Sequence, residues 1–284
     1  MKKCLFAILS ILICFSCKSQ KKVFQSEKLE KKWELNGLVV PECIAYDENN
    51  NILFVSNIGS KSPGLEDGKG FISKISLDGK IINLKWVEGL NAPKGMTVFH
   101  NYLYVADINK LVQIDIELGI IVQSIPVREA LFINDVVADN LGFIYATDTK
   151  SKLIYKFMEN SYKVLSSDSS FLGPNGIIVD NDFLIAGAGN KLVKINPNSG
   201  DVNDLILNTG QVDGLAKLDD TTYLISEWKG KIYLAFTNKE KELILDTSPI
   251  ENMKTADFYY HPELQQIFIP TFFNNSVVCY QFKN

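Results

Sequence analysis

Short apolar runs separated by polar turns recur along the chain in a fixed order. PECIAYDENNNILFVSN begins at Pro41, PKGMTVFHNYLYVAD at Pro93 and INDVVADNLGFIYATD at Ile133. PNGIIVDNDFLIAG begins at Pro174, VDGLAKLDDTTYLISE at Val212 and TADFYYHPELQQIFIPT at Thr255. Each copy is an apolar strand, a polar turn and a second apolar strand that ends in a small or acidic residue. A third strand follows each time, as in GFISKISLDG, NKLVQIDIELG, SKLIYKFMENS and NKLVKINPNSG. The first five copies add a fourth apolar stretch, such as IINLKWVEG or YKVLSSD. The runs are rich in β-branched and aromatic residues and show no helical period, so they predict antiparallel strands. A repeat of about 40 residues made of four strands predicts a β-propeller, here with six blades, an all-β fold. The sixth copy stops after three strands, at Asn284. Its missing strand is expected from Lys31–Leu38 (KKWELNGL), which would close the ring and remove exposed sheet edges. The propeller is therefore expected over 31–284.

The second residue of each copy is the candidate for chemistry. Those residues are Glu42, Lys94, Asn134, Asn175, Asp213 and Ala256. In a propeller the innermost strands surround a central channel, so six residues scattered along the chain become one ring. An Asn between Pro and Gly, as at Asn175, is ordinary turn chemistry on its own. Four oxygen donors in one ring are harder to explain as turns, because two inward carboxylates repel without a cation between them. Glu42, Asn134, Asn175 and Asp213 make a hard-cation set, two carboxylates and two amides, that suits calcium. Zinc would want Cys or His, and the ring has neither. Lys94 has four readings: it neutralises a carboxylate and displaces the metal, binds an anionic group beside it, acts as a base with lowered pKa, or reaches solvent at the rim.

With PEC, IND, PNG and VDG in this order, the chain from about residue 35 to 284 resembles the gluconolactonase/regucalcin (senescence marker protein) family. More distantly it is similar to paraoxonases and strictosidine-synthase-like propellers. The resemblance implies one divalent cation held by Glu42, Asn134, Asn175 and Asp213. It also implies hydrolysis of a lactone or related ester, with Asp213 combining ligation and proton transfer and Asn134 orienting substrate or water. Lys94 is the further catalytic candidate. The chain departs from the family pattern at Cys43 after Glu42, at Val136 after Asp135 and at Lys94. A non-catalytic propeller that binds a sugar, peptide or partner protein is the competing expectation, since fold does not fix function.

Around the ring, Asn57, Asp107, Asp148, Glu227 and Thr271 close the second strands on the same face. Asn57, Asp107, Asp148 and Glu227 are candidate pocket residues. Trp228, Phe272 and Phe273 are a candidate aromatic wall. The long loop within 56–70 is a candidate lid. His100 and His261 are expected in turns at the far end, away from any catalysis.

The remaining features bound the context. The formal net charge is −4, without a basic patch interleaved with aromatics, which argues against nucleic acid. The N-terminus, MKKCLFAILSILICFSCKSQKK, has two lysines, an apolar run from Leu5 to Phe15, then Cys17 and a polar stretch. It reads as a signal peptide over 1–17 of the bacterial lipoprotein type, with lipidation at Cys17 and a tether over 18–30. The expected location is outside the cytoplasm, anchored through the lipid and facing the periplasm or cell surface. The expected partners are that membrane and a small-molecule lactone or ester, with the protein a monomer. Cys43 and Cys279 are expected to be buried apolar residues, not a disulfide or zinc pair.

Overall fold

The computed structural model describes residues 22–283. The expected signal segment, Cys17 and the start of the tether lie outside the described residues. The described chain is a six-bladed β-propeller. Two strands precede the first blade: β1 (Phe24–Gln25) and β2 (Leu29–Asn36). Blade one is β3 (Pro41–Asp47), β4 (Ile52–Asn57), β5 (Gly70–Ser76) and β6 (Ile81–Leu90). Blade two is β7 (Pro93–Phe99), β8 (Tyr102–Asp107), β9 (Lys110–Asp115) and β10 (Ile120–Pro126). Blade three is β11 (Ile133–Ala138), β12 (Ile144–Asp148), β13 (Leu153–Met158) and β14 (Ser161–Ser166). Blade four is β15 (Pro174–Asp180), β16 (Phe183–Ala188), β17 (Lys191–Ile195) and β18 (Val202–Leu207). Blade five is β19 (Leu215–Lys217), β20 (Thr222–Glu227), β21 (Lys231–Phe236) and β22 (Glu242–Asp246). Blade six holds β23 (Tyr259–His261), β24 (Gln266–Pro270) and β25 (Ser276–Phe282).

The N-terminal strand closes the ring. Strand β2 pairs antiparallel with β25, from Leu29 opposite Phe282 to Asn36 opposite Ser276. It starts two residues earlier than the sequence pattern suggests, so Leu29 and Glu30 are strand and not tether. Strand β1 also falls inside the stretch read as tether. It adds to the outer edge of blade five, with Phe24 opposite Asp246, and makes that sheet five-stranded. A short piece with no alternation of its own gains its order from an edge that needs covering.

Six apolar clusters, each between two neighbouring blades, form a ring, and a seventh of Val40, Ile58, Ala92, Ile108, Ala256 and Phe272 gathers at the end where the inner strands begin. Blades one and two share Phe54, Ile72, Leu103 and Val112, and blades five and six share Leu29, Leu224, Ile267 and Val278. Successive side chains point to opposite faces of a blade, and in the second strands both faces are covered by neighbouring blades, which is why these strands read as continuous apolar runs. Cys43 and Cys279 are both free and buried. His100 follows β7 in a turn, with φ 52°. His261 is the last residue of β23 rather than a turn residue, and its ring lies 4.9 Å from that of Tyr46. Both histidines are at the opposite end from the ring of candidate residues.

Candidate functional site

The inner strands carry a bulge at the ring positions. In blades one to four the register slips between Pro41 and Ile44, Pro93 and Met96, Ile133 and Val136, and Pro174 and Ile177. A bulge re-aims side chains and leaves a backbone N–H unpaired. Second-strand hydroxyls take up that N–H in three blades. Ser56 Oγ accepts from Cys43 N at 2.9 Å, Thr147 Oγ1 from Asp135 N at 3.2 Å and Ser226 Oγ from Gly214 N at 2.7 Å. In blades one to four the bulge places the ring residue and the one after it together at the start of the inner strand.

The ring residues meet at one cavity of about 500 Å³. Glu42, Lys94, Asn134, Asn175 and Asp213 all line it, whereas Ala256 is fully buried behind it. Glu42 is 6% exposed, and its Oε2 is buried without a hydrogen-bond partner. Burial, then the neighbouring Asp213, pushes the Glu42 carboxyl well above its usual range, with Lys94 acting against the rise. Asp213 accepts a short hydrogen bond on Oδ1 from Asn175 Nδ2, while its Oδ2 is buried without a partner. Burial pushes its pKa up to about 7, against the Asn175 bond. Asn134 spends its Nδ2 on Thr149 Oγ1 at 2.9 Å, and Thr149 in turn donates to the Pro174 carbonyl at 2.9 Å. Both amides thus commit their N–H₂ groups to protein and keep their oxygens for the cavity.

Lys94 does not reach solvent at the rim. It is 1% exposed, donates to Ala92 O at 2.8 Å and sits over the Phe132 ring at 4.3 Å. Burial lowers its pKa to about 8, with the charges of Glu42 and Asp107 opposing.

Beneath the ring lies a second layer that sequence reasoning missed. The residues after the ring positions are Cys43, Gly95, Asp135, Gly176, Gly214 and Asp257. Asp135 accepts from Val136 N at 2.7 Å and Ile177 N at 2.8 Å, and burial pushes its pKa up to about 6. Asp257 sits beside Cys43 in a backbone bridge, its N–H donating to the Glu42 carbonyl at 3.0 Å, and burial with the charges of Asp135 and Glu42 pushes its carboxyl well up. It keeps some surface on the channel yet is enclosed by protein. The glycines leave room for these acids: a Cβ on Gly95 would lie 2.3 Å from Asp135 Oδ1, and one on Gly214 2.9 Å from Asp257 Oδ1. The signal was present, since the same alignment that finds the ring finds small or acidic residues one place on.

Three candidate pocket residues have another job. Asn57, Asp107 and Asp148 are fully buried and do not line the cavity. Each accepts backbone N–H groups from the loop entering its own blade. Asn57 takes Val39 N, Asp107 takes Asn91 N and Ala92 N, and Asp148 takes Leu131 N and Phe132 N. Thr271 is likewise tied to Ser276. Glu227 does line the cavity, with Lys241 3.2 Å from its Oε1. Trp228 and Phe272 line it too, with rings edge-on at 5.5 Å, and Phe273 packs behind them. Phe132 and Thr149, which the sequence does not single out, complete the wall. The long loop contributes Ile58 and Pro63, and Gly68 N in it donates to Asn91 Oδ1 of the next blade entry.

Among the described residues, no three or more His, Cys, Asp or Glu side chains are grouped to hold a metal. Any cation here would rest on two carboxylates, with amide oxygens supplying the rest.

No family model matches the sequence, and no curated protein matches it. Solved structures match its fold. Virginiamycin B lyase from Staphylococcus aureus aligns with a TM-score of 0.65 over 90% of this chain and 100% of that one, at 15% identity. A streptogramin B lyase aligns at 0.61 over 92% and 98%, at 11% identity. The WD40 β-propeller domain of Doa1 aligns at 0.63 over 86% and 79%, also at 11% identity. At these identities the likeness shows the fold alone. The chain is a six-bladed propeller related in fold to lyase and WD40 propellers, and its chemistry has to be argued from its own cavity.

Proposed function

We propose that the chain is a divalent-metal-dependent hydrolase of lactones or related esters, similar to gluconolactonases, working outside the cytoplasm. The observation that carries this is the pair of orphaned oxygens, Glu42 Oε2 and Asp213 Oδ2, buried at one cavity. A buried carboxylate oxygen without a donor is costly. Two of them, joined by two amides whose N–H₂ groups face elsewhere, fit a hard cation such as calcium. Glu42, Asn134, Asn175 and Asp213 would hold it. When bound, the cation would polarise the carbonyl and lower the pKa of a water.

The protein's own groups do the rest. Asn175 fixes the Asp213 carboxylate through Oδ1, so Oδ2 would both touch the cation and, through its remaining lone pair, take a proton from the attacking water and return it to the leaving alkoxide. Thr149 fixes Asn134, so its amide oxygen is held toward substrate or water. Phe132, Trp228 and Phe272 offer apolar surface that excludes bulk water. Lipid anchoring at Cys17 completes the reading. Strand β1 begins beside Asp246, at the cavity end of β22, so an anchored chain would reach the propeller from the side on which the cavity opens.

The test is hydrolysis of a panel of lactones and aryl esters by calcium-loaded protein. Turnover that chelation and Asp213→Asn both abolish is expected. Absence of turnover across the panel overturns the reading in favour of a non-catalytic binding propeller, which the buried Lys94 and the lack of a third acidic ligand favour.

A further inference from the structure

Lys94 is left over once the cation and the base are assigned. It is an ammonium in a cavity wall, 1% exposed, with three donors. One donor goes to Ala92 O, and one face lies on Phe132. No carboxylate forms an ion pair with it among the described residues. Asp107 is spent on the N–H groups of Asn91 and Ala92 and lies 3.3 Å from Lys110. Glu42 exerts the largest charge effect on Lys94 without forming an ion pair with it, and a bound cation would take up that carboxylate. A second cation crowds the same ring: Lys150 Nζ stands 4.5 Å from Phe132, against 4.3 Å for Lys94. Two ammonium groups on one aromatic ring, one of them buried and without a counter-ion, leave a place that an anion would complete.

We propose that the cavity takes an anionic substrate, a lactone or ester bearing a carboxylate or phosphate group, with that group seated on Lys94 beside Phe132. The substrate class rests on the hydrolase reading, but the anion seat does not. The aromatic wall of Trp228 and Phe272 then serves the uncharged part of the same molecule.

The experiment is calorimetric titration of the full chain with glycolate and with methyl phosphate, with and without calcium. Ethylene glycol serves as the neutral control. Lys94→Met keeps the length and apolar stem while removing the charge. Its melting temperature should be equal or higher, because an unpaired buried charge is gone. Lys94→Gln provides a second neutral variant. At least one anion should bind the wild type and lose tenfold or more in affinity in both variants, with Lys150→Met losing less. The tighter of the two anions identifies the acid group. Equal affinity in wild type and variants, binding no better than ethylene glycol, or no binding of either anion overturns the proposal. Calcium binding is read in the same runs. Its absence alone would sink the hydrolase reading and leave the anion seat to be judged on the metal-free titrations.

Discussion

Asn175 donates to Asp213 at the cavity, and the two residues have separable duties. Removing the amide in Asn175→Ala strips the hydrogen bond from Asp213 Oδ1 and leaves a buried carboxyl with neither oxygen paired. The expected cost is about 1–3 kcal/mol in a denaturant melt, together with weaker cation binding. Asn181 sits in the turn at the other end of the same blade, with φ 54°. Asn181→Ala should leave cation binding unchanged, measured by the same titration. Asp148 shows why position alone misleads. Its place at the end of β12 is legible in the sequence, but its carboxylate faces the N–H groups of Leu131, Phe132, Lys150 and Ser151. Asp148→Ala should therefore cost about 3 kcal/mol in stability and should reach the cavity only through a displaced Phe132. The ring residues were readable because a repeat aligns them. Asp135 and Asp257 stand one place on in the same alignment, but the strand alternation expected there argues against two successive residues facing one site, and at Asp135 a bulge overrides it.

At the scale of elements, the closure by β2 was legible and its extension by β1 was not. The sixth copy lacks a strand, and the only apolar-patterned stretch left over precedes the first copy. A two-residue strand on an outer edge carries no pattern to read. Leu29 anchors the closure: it is fully buried between blades five and six against Leu224, Leu245 and Ile267. Leu29→Ala should cost about 2–5 kcal/mol, read from the shift of the denaturation midpoint. An unchanged midpoint would show that β2 adds nothing to the ring's stability. The bulge hydroxyls make a similar element-level device. Ser56, Thr147 and Ser226 recur at the same place in alternate blades, a periodicity visible in hindsight one residue before the second-strand ends.

For the whole molecule, the buried acids around the channel make stability depend on pH and, on the proposed function, on a bound cation as well. Asp213 has a native pKa near 7, raised from the model-compound 3.8 by burial. A carboxyl raised on folding binds more protons in the native state, so it supports stability below its unfolded pKa. That support is lost as pH rises through the native value. The metal-free protein should therefore lose melting temperature between about pH 4 and 7. A cation needs the carboxylates ionised, so its affinity should rise across the same window, and added calcium should cancel the loss. The central claim is that Glu42 and Asp213 await a cation. The most direct measurement is the divalent-ion content of the purified protein, with its melting temperature before and after chelation and after calcium is returned. About one ion per chain is expected, with a melting temperature that falls on chelation and recovers with calcium. No bound ion, together with a melting temperature indifferent to calcium at neutral pH, would contradict it.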